Sequence, residues 1–161
     1  MAQQDSTDFD KCLDLLARGA AGSRRPSEVD IVVLAAFGGR LDQTAAIINS
    51  MHIWSPRFRQ LMVINDECDA LVLPRGRHAI RFDEGVESTV CGLLPVGSPS
   101  PGGGVRTTGL RWNLGEDSPP LRFGGLISTS NERTEGGTVE VQTEQPLVFT
   151  CAIRANAYED D

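Results

Sequence analysis

The chain has 161 residues and a formal net charge of −7, a length that suits one medium domain or two small ones with a buried core. Because no basic face is evident in the sequence, the charge argues against nucleic acid as the main partner and is mildly favourable for a cationic ligand. No segment has the length and hydropathy of a membrane span or of a signal peptide. We therefore expect a cytoplasmic protein with no membrane partner, whose four cysteines are buried, reduced thiols.

The first predicted element is a helix over residues 9–18. Apolar residues recur there at helical spacing, and a glycine follows as a stop signal: Phe9, Cys12, Leu13, Leu16 and Gly19. Thr7 and Asp10 fit a capping box, and Asp8 adds an acidic side chain to the first turn. The alternative is functional: Asp8 faces a metal-bound phosphate from the start of the helix.

A strand, a glycine turn and a second helix follow. The apolar run over 29–34 predicts a buried strand, residues 43–52 predict a helix, and the glycine pair 38–39 lies in the turn between them. Arg40 and Asp42 are thereby placed at the carboxyl end of a strand, where open α/β sheets bind their ligands. Their charges suit a phosphate ester and its metal ion, whereas the simpler alternative is a surface arginine with Asp42 as the helix N-cap.

This first part of the chain predicts an α/β domain, but an incomplete one. The helix over 9–18 and the strand over 29–34 form half of a βαβ unit, and the strand that should precede the helix is not in this sequence. A further short strand is predicted over 61–64. We expect residues 1–66 to be a partial α/β domain that lacks its N-terminal part.

After residue 66 the pattern changes to short strands without helices between them. They are predicted over 70–73, 77–82, 89–94, 105–114, 121–123, 126–129, 138–143 and 146–153. The strands over 70–73 and 77–82 indicate a hairpin around a turn at 74–76. Apolar and polar residues alternate over 138–143, as in a half-exposed antiparallel strand. Residues 67–161 are therefore predicted to form an antiparallel β-sandwich, with a barrel as the alternative.

Two groups of residues in this second part have both a structural and a functional interpretation. Trp112, on a predicted strand between polar neighbours, suits a sandwich core and a ligand-stacking surface equally well. Ser128, Ser130 and Asn131 follow a short predicted strand, where they form either a polar turn or a set of ligand contacts. The residue pattern alone leaves both questions open.

Five segments, in order and with matching spacing, resemble eukaryotic thiamine pyrophosphokinase. They are QDSTDFDKCL (4–13), GGRLDQ (38–43), CGLLPVG (91–97), TTGLRWNL (107–114) and FGGLISTSN (123–131). The resemblance extends to about residue 153. It implies an α/β nucleotide-binding domain followed by a β-sandwich that binds thiamine, assembled as a homodimer.

The same resemblance implies an activity, the transfer of a pyrophosphoryl group from ATP to the hydroxyl of thiamine, giving thiamine diphosphate and AMP. It also implies an upstream acidic segment that helps to hold Mg²⁺, and this sequence begins after that point. One alternative is therefore a non-catalytic module, or inactive fragment, that binds thiamine or thiamine diphosphate. A generic β-sandwich interaction domain is the third hypothesis, although it leaves the glycine turn and the STSN segment unexplained.

On the nucleotide side, the resemblance implies roles for individual residues. Asp8 matches an acid that would share Mg²⁺ with the absent segment, and Arg40 would hold phosphate oxygens. Asp42 would orient the thiamine hydroxyl, deprotonate it, or act through the metal. Three further residues are assigned to the nucleotide: Gln4, Thr7 and Gln43.

On the thiamine side, Trp112 matches an aromatic residue that stacks on thiamine from the partner subunit. An indole face suits thiamine because that molecule is a cation with two aromatic rings. The resemblance also implies that Ser128, Ser130 and Asn131 recognise the aminopyrimidine through their hydroxyl and amide groups.

Overall fold

The structure is a computed structural model that describes residues 6–20, 22, 24–96, 104–134 and 136–154. It divides into two compact units, Met1–Asn65 and Asp66–Asp161. None of the helices among the described residues is long and apolar enough to cross a lipid bilayer.

The first unit begins with a capped helix, α1 (Asp8–Leu15), which continues as a π-helical turn over Leu16–Ala20. The Thr7 hydroxyl accepts a hydrogen bond from the Asp10 backbone N–H (3.1 Å), and the Asp10 carboxylate accepts one from the Thr7 N–H (3.1 Å). The predicted capping box is therefore confirmed, and such caps typically stabilise a protein by about 1 kcal/mol.

A βαβ arrangement completes the first unit. Strand β1 (Asp30–Leu34) pairs in parallel with β2 (Gln60–Ile64), and helix α2 (Leu41–Trp54) connects them. The core under this sheet joins Leu13 of α1 to Phe58 and Leu61, with the inward side chains of β1 packed against them. The predicted order of strand, glycine turn, helix and strand is confirmed.

The interpretation of Asp42 as the N-cap of α2 is wrong. Helix α2 begins one residue before it, at Leu41, and the N-cap position belongs to Arg40, which makes no side-chain capping bond. Asp42 lies in the first turn, where its Oδ1 accepts a hydrogen bond from the Gln43 N–H (3.0 Å).

The second unit consists of strands in two antiparallel sheets. The strands are β3 (Cys68–Leu73), β4 (Gly76–Ile80), β5 (Glu87–Leu94), β6 (Val105–Thr108), β7 (Ser128–Glu132), β8 (Val139–Thr143) and β9 (Leu147–Ile153). One sheet has the order β3-β9-β5-β7 and the other β4-β8-β6. A shared core joins Leu93 and Phe149 of the first to Val139 and Val141 of the second. The predicted β-sandwich is confirmed, as is the half-exposed character of β8, whose side chains are alternately buried and exposed.

The predicted hairpin over residues 70–82 is wrong. Strand β3 pairs with β9, and β4 pairs with β8, so the two strands belong to different sheets. Residues 74–75 carry the chain from one sheet to the other, and Gly76 begins β4 with a φ of 146°. Two apolar strands joined by a short turn satisfy both arrangements locally, and the partner strands far along the chain decide between them.

Three strand predictions around the candidate site differ from the structure. The predicted strand over 105–114 ends at Thr108, because Gly109 turns the chain with a φ of 81°. The predicted strand over 121–123 is absent apart from an isolated bridge between Leu121 and Leu126, and the predicted strand over 126–129 is shifted, with only residues 128–129 in a strand. Regular pairing resumes at Ser128, so the segment interpreted as a polar turn is strand β7.

The cysteines differ in exposure, although all four are free thiols. Cys91 and Cys151 are buried and Cys68 is half-buried, but Cys12 is exposed, so the expectation of four buried thiols is wrong for Cys12. Its neighbour Leu13 takes the inward position on α1, which leaves Cys12 facing solvent.

A buried carboxyl group, that of Asp69, is expected to make the stability of the protein depend on pH. Asp69 is 3% exposed, and its Oδ1 accepts a hydrogen bond from the Cys151 N–H (3.2 Å). Burial, followed by the neighbouring Glu87, raises the pKa of Asp69 to about 7. The folded state therefore binds a proton that the unfolded state releases near its ordinary pKa, so the free energy of unfolding should fall as pH rises from about 4 to about 7.

Asp69→Asn should remove this dependence, because an amide cannot ionise. We expect the variant to be more stable than the wild-type chain by about 1–3 kcal/mol at about pH 8, and similar to it near pH 4, in urea unfolding. The exposed Asp117→Asn provides the control. A variant whose stability falls in parallel with the wild type between these pH values would contradict the prediction.

Candidate functional site

The turn that follows β1 has an open, left-handed backbone. Ala35, Gly38 and Gly39 all have positive φ values, of 57°, 113° and 70°. Nothing lies within 4 Å of the position that a Cβ would take at either glycine, and the Ala35 N–H donates to the Ile64 carbonyl (2.7 Å). The turn is therefore fixed at the carboxyl ends of both parallel strands and open to solvent beyond them. A strained alanine in such a turn is typical of ligand-binding segments.

Arg40 and Asp42, which the sequence predicts at this edge, are brought together as an ion pair. Arg40 Nε lies 3.0 Å from Asp42 Oδ1, and Nη2 lies 2.5 Å from Oδ2. Both side chains are mostly exposed. The hydrogen bond from Arg40 lowers the pKa of Asp42, so the carboxylate is ionised at neutral pH. Gln43 follows on the exposed start of α2.

Asp8 is available as a metal ligand, but no cluster of ligands surrounds it. Its side chain is 96% exposed, and it pairs with Lys11 (2.9 Å), which lowers the pKa of Asp8. Across the described ranges, no group of three or more His, Cys, Asp or Glu side chains is placed to hold a metal ion. A single exposed carboxylate still fits Mg²⁺, which commonly takes one or two carboxylates and completes its shell with phosphate oxygens and water.

The remaining predicted nucleotide residues differ in their placement. The Thr7 hydroxyl belongs to the capping box and also donates to Asp10 Oδ2 (2.7 Å), and Gln4 lies outside the described residues. Asp10, which the sequence suggests only as a cap, also accepts a hydrogen bond from Trp54 Nε1 (3.0 Å). Partial burial tends to raise the pKa of Asp10, but the hydrogen bonds from Ser50, Thr7 and Trp54 together outweigh it and lower that pKa. Asp10 thus ties the start of α1, and with it Asp8, to α2.

Trp112 lies in a tight turn of the second unit and is 53% exposed, so it is neither on a strand nor in the sandwich core. Thr107 closes this turn: its N–H donates to the Leu114 carbonyl (3.0 Å), and its hydroxyl accepts from the Leu114 N–H (2.8 Å). A large aromatic ring is thereby held at the surface by a short, well-bonded loop.

Asn131 and Ser128 hold the backbone of Trp112 from strand β7. Asn131 Nδ2 donates to the Trp112 carbonyl (2.9 Å) and to Ser128 Oγ (3.1 Å), and its Oδ1 accepts from the Trp112 N–H (3.3 Å). Asn131 is 4% exposed and Ser128 is 7% exposed. Three residues predicted from the sequence are therefore joined in one network, in which Ser128 and Asn131 bond to the protein itself. Ser130 differs, because it is exposed and has a positive φ of 55°.

Two residues beside Trp112 have no role in the sequence-based prediction. The guanidinium of Arg111 lies over the indole ring, with its central carbon 4.7 Å from the ring centroid. Arg111 Nη1 also pairs with Glu132 Oε2 (2.8 Å), and the Arg111 N–H donates to the Glu132 carbonyl (2.7 Å). The sequence signal for Arg111 is its position next to the tryptophan, but nothing local connects it to Glu132.

Two family models match this chain. Residues 1–64 match the catalytic domain of thiamin pyrophosphokinase, and residues 77–148 match its vitamin B1 binding domain. Thiamine pyrophosphokinase 1 of Oryza sativa subsp. japonica is 39% identical over 152 residues, and that of Arabidopsis thaliana is 35% identical. Each alignment covers 94% of this chain and 54% of the relative, so the chain spans about half the length of these curated relatives.

Solved structures show the same fold. Yeast thiamin pyrophosphokinase aligns with a TM-score of 0.77 at 21% identity, covering 98% of this chain and 62% of that one. Thiamin pyrophosphokinase from Candida albicans aligns with a TM-score of 0.69 at 24% identity, covering 93% of this chain and 54% of that one. Both domain models and the curated relatives agree with the resemblance of the five sequence segments. The chain belongs to the thiamine pyrophosphokinase family.

Proposed function

We propose that this chain takes part in the transfer of a pyrophosphoryl group from ATP to thiamine, giving thiamine diphosphate and AMP. The observation that carries the proposal is the exposed Trp112, held at the surface by the buried Asn131. An indole placed in this way suits a flat aromatic cation such as thiamine. The α/β domain predicted over residues 1–66 would bind ATP, and the β-sandwich predicted over residues 67–161 would bind thiamine.

On the nucleotide side, Arg40 would hold phosphate oxygens with its planar set of donors. Asp42 would orient the thiamine hydroxyl or the metal rather than remove a proton. Its pKa is already low beside Arg40, and such a carboxylate is a weak base for an alcohol. Mg²⁺ would be held by Asp8 together with phosphate oxygens, and it would neutralise charge on the phosphates during transfer.

The other nucleotide assignments follow from these positions. Gln4 and Gln43 are proposed to contact the nucleotide, as the resemblance implies. Thr7 is proposed to act mainly through the capping box, because its hydroxyl both donates to and accepts from Asp10 and so fixes the start of α1 next to Asp8.

On the thiamine side, Trp112 would stack on the substrate, and Ser130 would offer the exposed hydroxyl to the aminopyrimidine. Ser128 and Asn131 are proposed to act through Trp112, because both are buried and bonded within the protein. The sequence-based assignment of all three polar residues to direct contact is thereby narrowed to Ser130.

We also propose that the chain forms a homodimer, with Trp112 of one protomer serving the nucleotide site of its partner, as the resemblance implies. Light scattering on the purified chain tests this, and a monomer at micromolar concentration would contradict it. The cytoplasmic localisation expected from the sequence stays a prediction.

The test of the proposed function is an assay of the chain for thiamine diphosphate formation from thiamine, ATP and Mg²⁺. Product above a control without enzyme supports the transferase. Thiamine binding in calorimetry without any product favours the second candidate, a non-catalytic thiamine-binding module, which the intact Trp112 network of the second unit supports. If the chain forms no product and binds no thiamine, both candidate functions are contradicted.

Trp112→Ala should weaken thiamine binding while leaving ATP binding unchanged. The loss of a cation–π contact corresponds to an increase of about two- to thirtyfold in the thiamine Kd. Phe123→Ala is the matched control, because Phe123 is a similarly exposed aromatic residue of the same unit. Calorimetry with each ligand measures both effects. Equal losses for thiamine and ATP, or no loss, would contradict the stacking role.

A further inference from the structure

Strand β7 fixes Trp112 twice, once through its backbone and once through its ring. Asn131 binds both the N–H and the carbonyl of Trp112. The next residue, Glu132, holds Arg111 through its carboxylate and its backbone carbonyl, and the Arg111 guanidinium covers one face of the indole. One face of the ring is therefore closed by a cation that belongs to the protein.

This arrangement has an electrostatic consequence for a second cation. The negative face of an indole attracts a cation, but a positive charge already on one side reduces the attraction for a like charge on the other. Glu132 lies 2.8 Å from Arg111 and offsets that charge. The paired carboxylate thus reduces the repulsion between Arg111 and a second cation on the other face of the ring.

A purely stabilising role does not account for this pair. The side chains of Arg111 and Glu132 are 60% and 38% exposed, and ion pairs with such exposure contribute little to stability. The Arg111–Glu132 pair differs from other exposed pairs, such as Arg106 with Glu116, in one contact. Arg111 stacks on an exposed aromatic ring.

We propose that Arg111 and Glu132 are specificity-determining positioning residues for a flat aromatic cation. Arg111 closes one face of Trp112 and orients its ring, and Glu132 compensates the charge of Arg111 so that the opposite face accepts the positively charged ring of the ligand. This proposal rests on the proposed thiamine site and adds the two residues that set its charge preference.

The test is a double-mutant cycle read by calorimetry on the full chain. Glu132→Gln leaves the arginine charge uncompensated and should raise the thiamine Kd by about three- to tenfold. Arg111→Met removes the charge while keeping a long side chain over the ring, so the Arg111→Met/Glu132→Gln double variant should return to within about twofold of wild type. Glu116→Gln, which breaks the Arg106 pair, should leave the Kd unchanged.

Two further measurements separate this role from a general structural one. Glu132→Gln should leave the Kd of thiochrome unchanged, because thiochrome, the planar oxidation product of thiamine, carries no charge. Without any ligand, Arg111→Ala should raise acrylamide quenching of Trp112 fluorescence by about 1.5- to twofold, because it opens the closed face. The Trp112 signal is isolated by subtracting the matching Trp112→Phe variant.

The outcomes distinguish the two proposals. If the wild-type chain fails to bind thiamine, the proposed thiamine site fails and the specificity proposal is overturned with it. If the wild type binds thiamine but Glu132→Gln has no effect, or the double variant remains as weak as Glu132→Gln, the specificity proposal alone is overturned. Unchanged quenching in Arg111→Ala also overturns it, because Arg111 would then not cover the ring.

Discussion

Replacing Asp42 with asparagine is expected to lower the rate of thiamine diphosphate formation by about a hundredfold or more, the loss typical of removing one group that stabilises charge in a transition state. Asparagine keeps the shape of the side chain but lacks the negative charge that would orient the metal or the thiamine hydroxyl. It also frees Arg40 from its bidentate partner. We therefore expect kcat to fall while the KM for ATP stays the same or decreases, because an unpaired Arg40 binds phosphate oxygens more readily.

The matched control is Asp14→Asn, which breaks the exposed pair of Asp14 with Arg18 in the same unit (2.8 Å). Both variants should unfold at the same urea concentration as the wild type, because both carboxylates lie in exposed pairs. A turnover rate of Asp42→Asn within about twofold of the control would remove Asp42 from the proposed transfer mechanism. Calorimetric titration of Mg²⁺–ATP provides a second readout that does not depend on turnover.

Gly109→Ala is expected to cause the largest loss of stability in the second unit, about 3–5 kcal/mol. Gly109 has a φ of 81°, and a Cβ added there would lie 2.4 Å from the carbonyl oxygen of Thr138. That atom belongs to the backbone and cannot rotate away. The Gly109 carbonyl is also held by the N–H (2.9 Å) and the hydroxyl (3.2 Å) of Thr134, so the turn has little freedom to relax.

Two other glycines separate the contributions of strain and contact. Gly124 has a similar φ of 76°, but nothing lies within 4 Å of its Cβ position, so Gly124→Ala should cost only about 1 kcal/mol. Gly115 has open space and no positive φ, and its substitution should change stability by less than about 0.5 kcal/mol. Urea unfolding ranks the three variants. If Gly109→Ala is no less stable than Gly124→Ala, the close approach to Thr138 is absent in solution.

The fold of the first unit could be predicted because its signals are local. The β1 strand, the glycine pair and α2 follow one another directly, and a strand–helix–strand sequence allows little choice besides a parallel pair. The capping box of Thr7 and Asp10 spans only four residues. For the same reason, the sequence brings Arg40 and Asp42 to one edge, and the structure has them in contact.

The second unit shows where local patterns stop being sufficient. Strand β3 pairs with β9, about 80 residues further along the chain, so its partner is chosen by the shared core and not by the nearby turn. The turn around Trp112 depends on Asn131, 19 residues away, and on the φ of Gly109. The local pattern of short strands therefore predicted a strand over 105–114, where long-range hydrogen bonds impose a turn. Arg111 and Glu132 are 21 residues apart, so no local signal in the sequence indicated their pairing.

Because two thiols are buried in the β-sandwich and one is exposed on α1, thiol labelling can report when the sandwich unfolds. Cys91 and Cys151 face each other across β5 and β9, and burial raises their pKa values to about 11 and about 12, so they have little reactive thiolate while the sandwich stays closed. Cys12 is exposed on α1 and can be reached by the reagent in the folded chain. In a timed alkylation experiment, the first label would therefore mark the native surface of the first unit. Labels at Cys91 and Cys151 would appear only as fast as the sandwich unfolds. The mass of the alkylated chain, followed over time, therefore gives the unfolding rate of the sandwich.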